Sequence, residues 1–219
     1  MAVLTHPDRV AHYINVDTTT LLGLDRADRL SMVESGLANV MATPLLGHAA
    51  HLFASKLKTG RVFCILEHPV RRAVEAQYES MSENNPTVMT LVQYAESELL
   101  NENVLTKGLA NVTMTDMVTL EHVRIAKVIL EQYVVVGLAD YMEESLEYFM
   151  EYFGWVPNIE DYIACQNSFV NNRKVAYINP ASDEYSTLAD RNWADMEVYE
   201  YAKTLFENRA KKTRINVAY

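Results

Sequence analysis

The chain has 219 residues, 49% of them hydrophobic, and a formal net charge of -10 at pH 7. This apolar content excludes intrinsic disorder and is enough to build the core of one α/β domain. The acidic balance, with a sequence pI near 5.1, argues against a general nucleic-acid binder, which needs a basic face for phosphates.

The opening "MAVLTHPDRVAHYINV" has no continuous apolar stretch of the kind a signal peptide needs, and no window reaches the length of a membrane span. "AHYINVDTTT" reads as an extended segment ending in a turn. "DRADRLSMVESGL" predicts a helix that stops at Gly36, and "ANVMATP" a short buried strand closed by Pro44. "LLGHAAHLFASKLKTG" predicts one helix ending at Gly60, with Lys56 and Lys58 suited to its last turn. "RVFCIL" is a strand, and Pro69 is well placed to open the following helix. This alternation implies parallel strands joined by crossover helices.

Further along, "TLVQYAESELL" is an amphipathic helix and "NENVLTKGLANVTMTD" a long irregular connection. Residues 119–131 place Leu120, Val123, Ala126 and Leu130 at helical spacing. "QYVVVGL" is a buried strand, and "MEESLEYFMEYFGW" a helix with Leu146, Phe149 and Phe153 on one side. The stretch from Val156 to Ser186 is the least regular. A final helix is expected over 187–209. With no repeat and no linker, residues 1–219 read as a single domain.

The two cysteines, Cys64 and Cys165, form no zinc or redox motif, and Cys64 reads as a small buried hydrophobe inside a strand. Asn111-Val112-Thr113 is the one glycosylation sequon, a pattern short enough to arise by chance.

Three separated segments resemble the sulfotransferase family. "VFCILEHPVRRAVEAQY" resembles that family's strand followed by Arg-Asp/His-Pro-Val-x-Arg-x-x-Ser-x-Tyr. "YVVVGLADYMEESLEYFMEYFGW" resembles its later strand, acidic-Ser-Leu helix and closing Gly-Trp. "NWADMEVYEYAKTLFENR" resembles its last helix. "GLANVMATPLLGHAAHLF" is similar to the segment preceding the His-Pro-Val strand in carbohydrate-type members, particularly an algal branch. Order and spacing agree over most of residues 12–209.

The resemblance implies a P-loop-like three-layer α/β sandwich, with a small parallel sheet flanked by helices. It implies 3′-phosphoadenosine 5′-phosphosulfate (PAPS) as cofactor. The implied reaction moves a sulfuryl group to a hydroxyl of a carbohydrate or similar acceptor, and the implied compartment is the Golgi lumen. The Pro-Lys-Ser/Thr-Gly phosphosulfate loop of the family does not occur here, which implies that the domain is N-terminally truncated. The threonines of "VDTTTLLG" correspond to sequence beyond that loop.

On the matching positions, the family's 3′-phosphate arginine falls on Glu67 and its serine on Glu75, whereas Pro69, Val70, Arg72 and Tyr78 keep their places. Two charges about 4 Å apart at an effective dielectric of about 20 interact by about 4 kcal/mol, so reversing one sign penalises a phosphate by several kcal/mol. Lys107 lies near a family arginine close to cofactor or acceptor, and Arg173 lies in the loop "VNNRKVAYIN" near the nucleotide. Ordinary loop cations are the alternative for both.

His48 is the candidate catalytic base, with an ordinary helix histidine as the alternative. His48 and His51 are three residues apart but no third metal ligand is visible. A non-catalytic sulfotransferase-like module that binds a protein partner is the competing functional class.

Overall fold

The computed structural model describes residues 16–55, 58–82, 89–171 and 176–216. They form a mixed helical and small-sheet structure of the α/β type, and they divide into two compact units, 1–61 and 62–219.

In the first unit, α1 (Leu21–Arg29) is opened by Thr20, whose side chain accepts from the Gly23 amide at 3.1 Å. Asp17 in turn accepts from the Thr19 amide and hydroxyl, so "DTTT" satisfies the donors of the helix entry locally. The helix therefore starts before Asp25, where the sequence reading began it. It ends at Leu30, after which Ser31 (φ 47°) and Gly36 (φ 73°) turn the chain through left-handed conformations.

The expected strand over 38–44 is irregular chain without a ladder, held by Thr18, whose hydroxyl donates to the Ala42 carbonyl. The expected helix over 45–60 does not form. It breaks into α2 (Leu46–Ala50), a 3₁₀ turn (His51–Phe53), and a hairpin of β1 (Ala54–Ser55) with β2 (Lys58–Thr59). Gly60 closes that hairpin: its amide donates to the Phe53 carbonyl at 3.2 Å, and a Cβ there would lie 2.4 Å from Phe53 Cβ. Glycine serves close approach here, not helix termination. Val16, Leu24, Ala27, Met32, Val33, Ala38, Ala49 and Leu52 make this unit's core.

The second unit is built on two parallel strands, β3 (Val62–Leu66) and β4 (Val134–Leu138), in the register Val62↔Val134 through Leu66↔Leu138. Between them come α3 (Pro69–Ser82), α4 (Leu91–Glu96), α5 (Val104–Ala110) and α6 (Leu120–Tyr133). After them come a 3₁₀ turn (Ala139–Tyr141), α7 (Met142–Phe153), α8 (Ile159–Cys165), a π turn (Gln166–Asn171), α9 (Asp183–Arg191) and α10 (Trp193–Asn216).

Strand periodicity sorts the sheet's side chains. Val62, Cys64, Leu66, Val134, Val136 and Leu138 face α6 and α10, packing on Val123, Ala126, Leu130, Val198, Tyr199 and Ala202. The opposite face carries Phe63 and Gly137 against α7. Phe149 lies 5.1 Å from Phe63 edge-on, and a Cβ on Gly137 would come within 2.7 Å of Phe149 and 2.9 Å of Ser145. Glycine in β4 thus lets α7 press onto the sheet. A satellite core joins Val70, Ala73 and Val74 of α3 to Tyr94, Ala95, Leu100 and Leu188.

Two further expectations are corrected. The segment expected to be irregular contains α5, and the single last helix is two. The break falls at Asn192, fully buried, whose side chain donates to the Leu188 carbonyl at 2.9 Å and accepts from the Asn103 amide at 3.1 Å. Among the described residues no helix is long and apolar enough to cross a membrane.

Candidate functional site

In open α/β structures ligands bind beyond the carboxyl ends of parallel strands, because loops diverge there and helix N-termini point inward. Here that end carries the Glu67-His68-Pro69 turn after β3 and Ala139–Tyr141 after β4. Five polar side chains meet at it. Arg71 of α3 pairs with Asp140, and the Tyr199 hydroxyl of α10 donates to Asp140 Oδ2 at 3.1 Å. The His68 ring stands edge-on to Tyr199 with centroids 5.4 Å apart, and its Nε2 lies 3.3 Å from the Tyr185 hydroxyl.

Electrostatics fix the protonation of this group. Burial lowers His68 below its ordinary value, and the Arg71 charge adds to that against the pull of Asp140, so the imidazole is neutral near pH 7. Burial works against the Asp140 carboxylate, but the hydrogen bond and charge of Arg71 outweigh it and hold the group below the usual range. Burial likewise opposes the Arg71 cation, and Asp140 outweighs it there too. Burial, then the neighbouring Asp140 charge, pushes the Tyr199 phenol upward. His68 Nδ1 is buried and, among the described residues, has no hydrogen-bond partner. The cluster therefore consists of a neutral imidazole beside an internally neutralised ion pair, without a surplus cation.

The residues singled out for phosphate binding are not gathered in that cluster. Arg72 turns toward α10: its Nη2 is 3.2 Å from Asn192 Oδ1 and 3.5 Å from Asp195 Oδ2. Glu75 accepts from the Ala176 amide at 3.4 Å. Glu67 is half-buried at the turn and has a partner within the chain. Lys107 is only 4% exposed, and its ammonium donates to the Met114 carbonyl at 2.8 Å, closing the loop after α5. Arg173 lies outside the described residues. His48 and His51 are exposed in the first unit, on α2 and the following turn. Among the described residues no group of three or more His, Cys, Asp or Glu side chains is placed to hold a metal.

Behind Arg72 lies a second network, in which Asp195 takes the capping role its place in the last helix suggests, with partners that spacing does not name. Asp195, fully buried, accepts from the Leu105 amide at 3.0 Å, the Thr106 amide at 2.8 Å and the Thr106 hydroxyl at 2.8 Å, capping α5. Asn103 reciprocates, its Oδ1 accepting from the amides of Ala194 at 3.0 Å and Asp195 at 3.2 Å, which caps α10. Each helix is thus capped by the residue at the head of the other, and the donors left over at both N-termini are satisfied across some 90 residues of chain. Asn103 sits at φ 53°, a conformation asparagine tolerates better than most residues.

The class these observations define is an α/β protein with helices on both faces of a parallel pair. Set against known proteins, the chain matches no protein-family model, and no curated protein and no solved structure matches it significantly.

Proposed function

We propose that this chain is a sulfotransferase-type domain of P-loop-like architecture, acting on PAPS and a hydroxyl-bearing acceptor such as a carbohydrate. One observation carries the reading: Val62–Leu66, the strand of the sulfotransferase-like motif, pairs in parallel with Val134–Leu138, the strand of the second such motif. The Glu67-His68-Pro69 turn then feeds α3 at the carboxyl end, where the nucleotide of such a domain would sit. Under this reading Arg71 and Arg72 of the second unit are the cations nearest the 3′-phosphate, and the acceptor proton needs a base, for which His48 is the candidate that the sequence resemblance offers. Sulfuryl transfer then requires the base to remove the hydroxyl proton as the S–O bond forms and the bisphosphate leaves.

A second reading, a non-catalytic module that keeps the scaffold and binds a protein partner, is favoured by a separate observation. The cations that would meet the phosphates are already committed: Arg71 to Asp140, Arg72 to Asn192 and Asp195, and Lys107 to a carbonyl.

Calorimetry with adenosine 3′,5′-bisphosphate separates the two. The transferase reading expects binding by the natural chain, and a gain of about tenfold or more for the Glu67→Arg/Glu75→Ser variant, since a repulsive charge becomes attractive. Absence of binding by both chains at millimolar ligand abolishes the transferase reading and leaves the module.

A further inference from the structure

We infer that the chain forms a symmetric dimer in which β3 of two copies pair antiparallel through their outer edges, centred on Cys64. The inference is independent of any nucleotide chemistry. It starts from an asymmetry between the two strands. All five residues of β4 are buried, whereas Val62, Phe63 and Cys64 are half-buried and Ile65 is 38% exposed. Among the described residues β3 has no strand neighbour other than β4, so its outer row of amides and carbonyls lacks a ladder. Parallel sheets are characteristically covered, and exposed edges are normally blunted by proline, lysine or a bulge. "VFCIL" has no proline and no charge, and its one-to-one register with β4 contains no bulge.

The sequence around the strand states which occupant fits. Arg61 precedes β3 and Glu67 follows it, each three residues from Cys64. An antiparallel pair with Cys64 opposite its own copy therefore sets Arg61 against the partner's Glu67, and Glu67 against the partner's Arg61. The same register sets Val62 against the partner's Leu66 and Phe63 against the partner's Ile65.

Positions 61, 63, 65 and 67 share one face of an extended strand, so the two ion pairs flank two apolar pairs on that face. Exposed Ile65 gains a cross-strand aromatic partner. Both charged residues already have interactions within the chain, so the pairing uses only their signs at two symmetric positions. No other register of β3 against itself matches both charges. The result is one continuous four-stranded sheet, with the helix layers of each copy extended across it, and the contact is isologous and closed.

The test is sedimentation equilibrium of the full chain with charge-swapped variants. The natural chain is expected at twice its 24.9 kDa mass. Arg61→Glu and Glu67→Arg, each placing like charges at both symmetric pairs, are expected to raise the dimer Kd by about tenfold or more. The double variant Arg61→Glu/Glu67→Arg restores opposite signs and is expected to recover the dimer. That recovery separates a lost interface from a damaged fold, as does an unchanged far-ultraviolet dichroism of the single variants.

A monomeric natural chain overturns the inference, whether its β3 amides exchange freely or are protected by another segment of the same chain. A dimer indifferent to the single swaps, or one that the double swap fails to restore, overturns it too.

Discussion

Two polar networks lie in the second unit, and they differ in completeness. The Asn103–Asn192–Asp195 network is buried, and every polar atom described for it has a partner. The His68–Arg71–Asp140–Tyr199 network sits at the strand ends, is partly exposed at Arg71 and Asp140, and among the described residues leaves one imidazole nitrogen unpaired. The first fixes where α5 and α10 begin. The second braces the carboxyl ends of the sheet while leaving a ring nitrogen of His68 uncommitted. A buried network raises stability and specificity only when it is fully satisfied, whereas an incomplete one stays adjustable. The contrast separates the part of this unit that is architecture from the part that has chemical latitude.

The largest effect should come from the closed network. Asp195→Ala removes three hydrogen bonds to α5 and leaves Arg72 facing an empty site. Urea unfolding should show a loss of about 3–5 kcal/mol. A loss no greater than that of a surface change on α10, such as Glu197→Ala, would remove Asp195 from its capping role. The open network should respond less: Tyr199→Phe deletes one bond to a carboxylate that keeps its Arg71 partner, for about 1 kcal/mol. Equal losses from the two variants would erase the distinction drawn between the networks.

The smallest effect is a pH slope. The folded His68 is lowered below its ordinary 6.5, so the unfolded chain takes up a proton first as pH falls. The contribution of His68 is complete above about 6.5 and declines as pH drops below that value toward the lowered one. Asp140, also lowered, adds a second decline below its ordinary 3.8. Unfolding free energies measured between pH 7.5 and 5 should slope in the natural chain and flatten in His68→Gln. An identical slope in both would mean that the imidazole is not held neutral by its surroundings.

The sheet was legible from sequence because its signals are local. An apolar β-branched run and a first-turn proline locate β3 and α3, and a second such run locates β4. Helix α6 was equally visible through its spacing, and the structure adds a Thr119–His122 capping box at its start. What sequence reading lost depends on distant partners. The cap of α5 is Asp195, and no nearby residue announces it. The break at Asn192 is set by its bonds to Leu188 and Asn103, while the surrounding periodicity reads straight through. In the first unit, Gly60 resembles a helix stop and serves as a hairpin contact, because the steric need at Phe53 is invisible to spacing. At the candidate site the types of residue were readable but their engagements were not: Lys107 and Arg72 look available in sequence and are occupied in the fold.

Burial in β3 pushes the Cys64 thiol up to about 12, so almost none of it is thiolate at neutral pH, and the thiolate is the reactive form. Cys165, the chain's other cysteine, lies at the end of α8, outside the strand and partly accessible. Both cysteines are half-buried, so it is the scarcity of thiolate rather than coverage that slows Cys64 toward an alkylating reagent in the folded molecule. Labelling of Cys64 then follows the opening of the sheet itself, which gives the chain a built-in reporter of how often its centre comes apart.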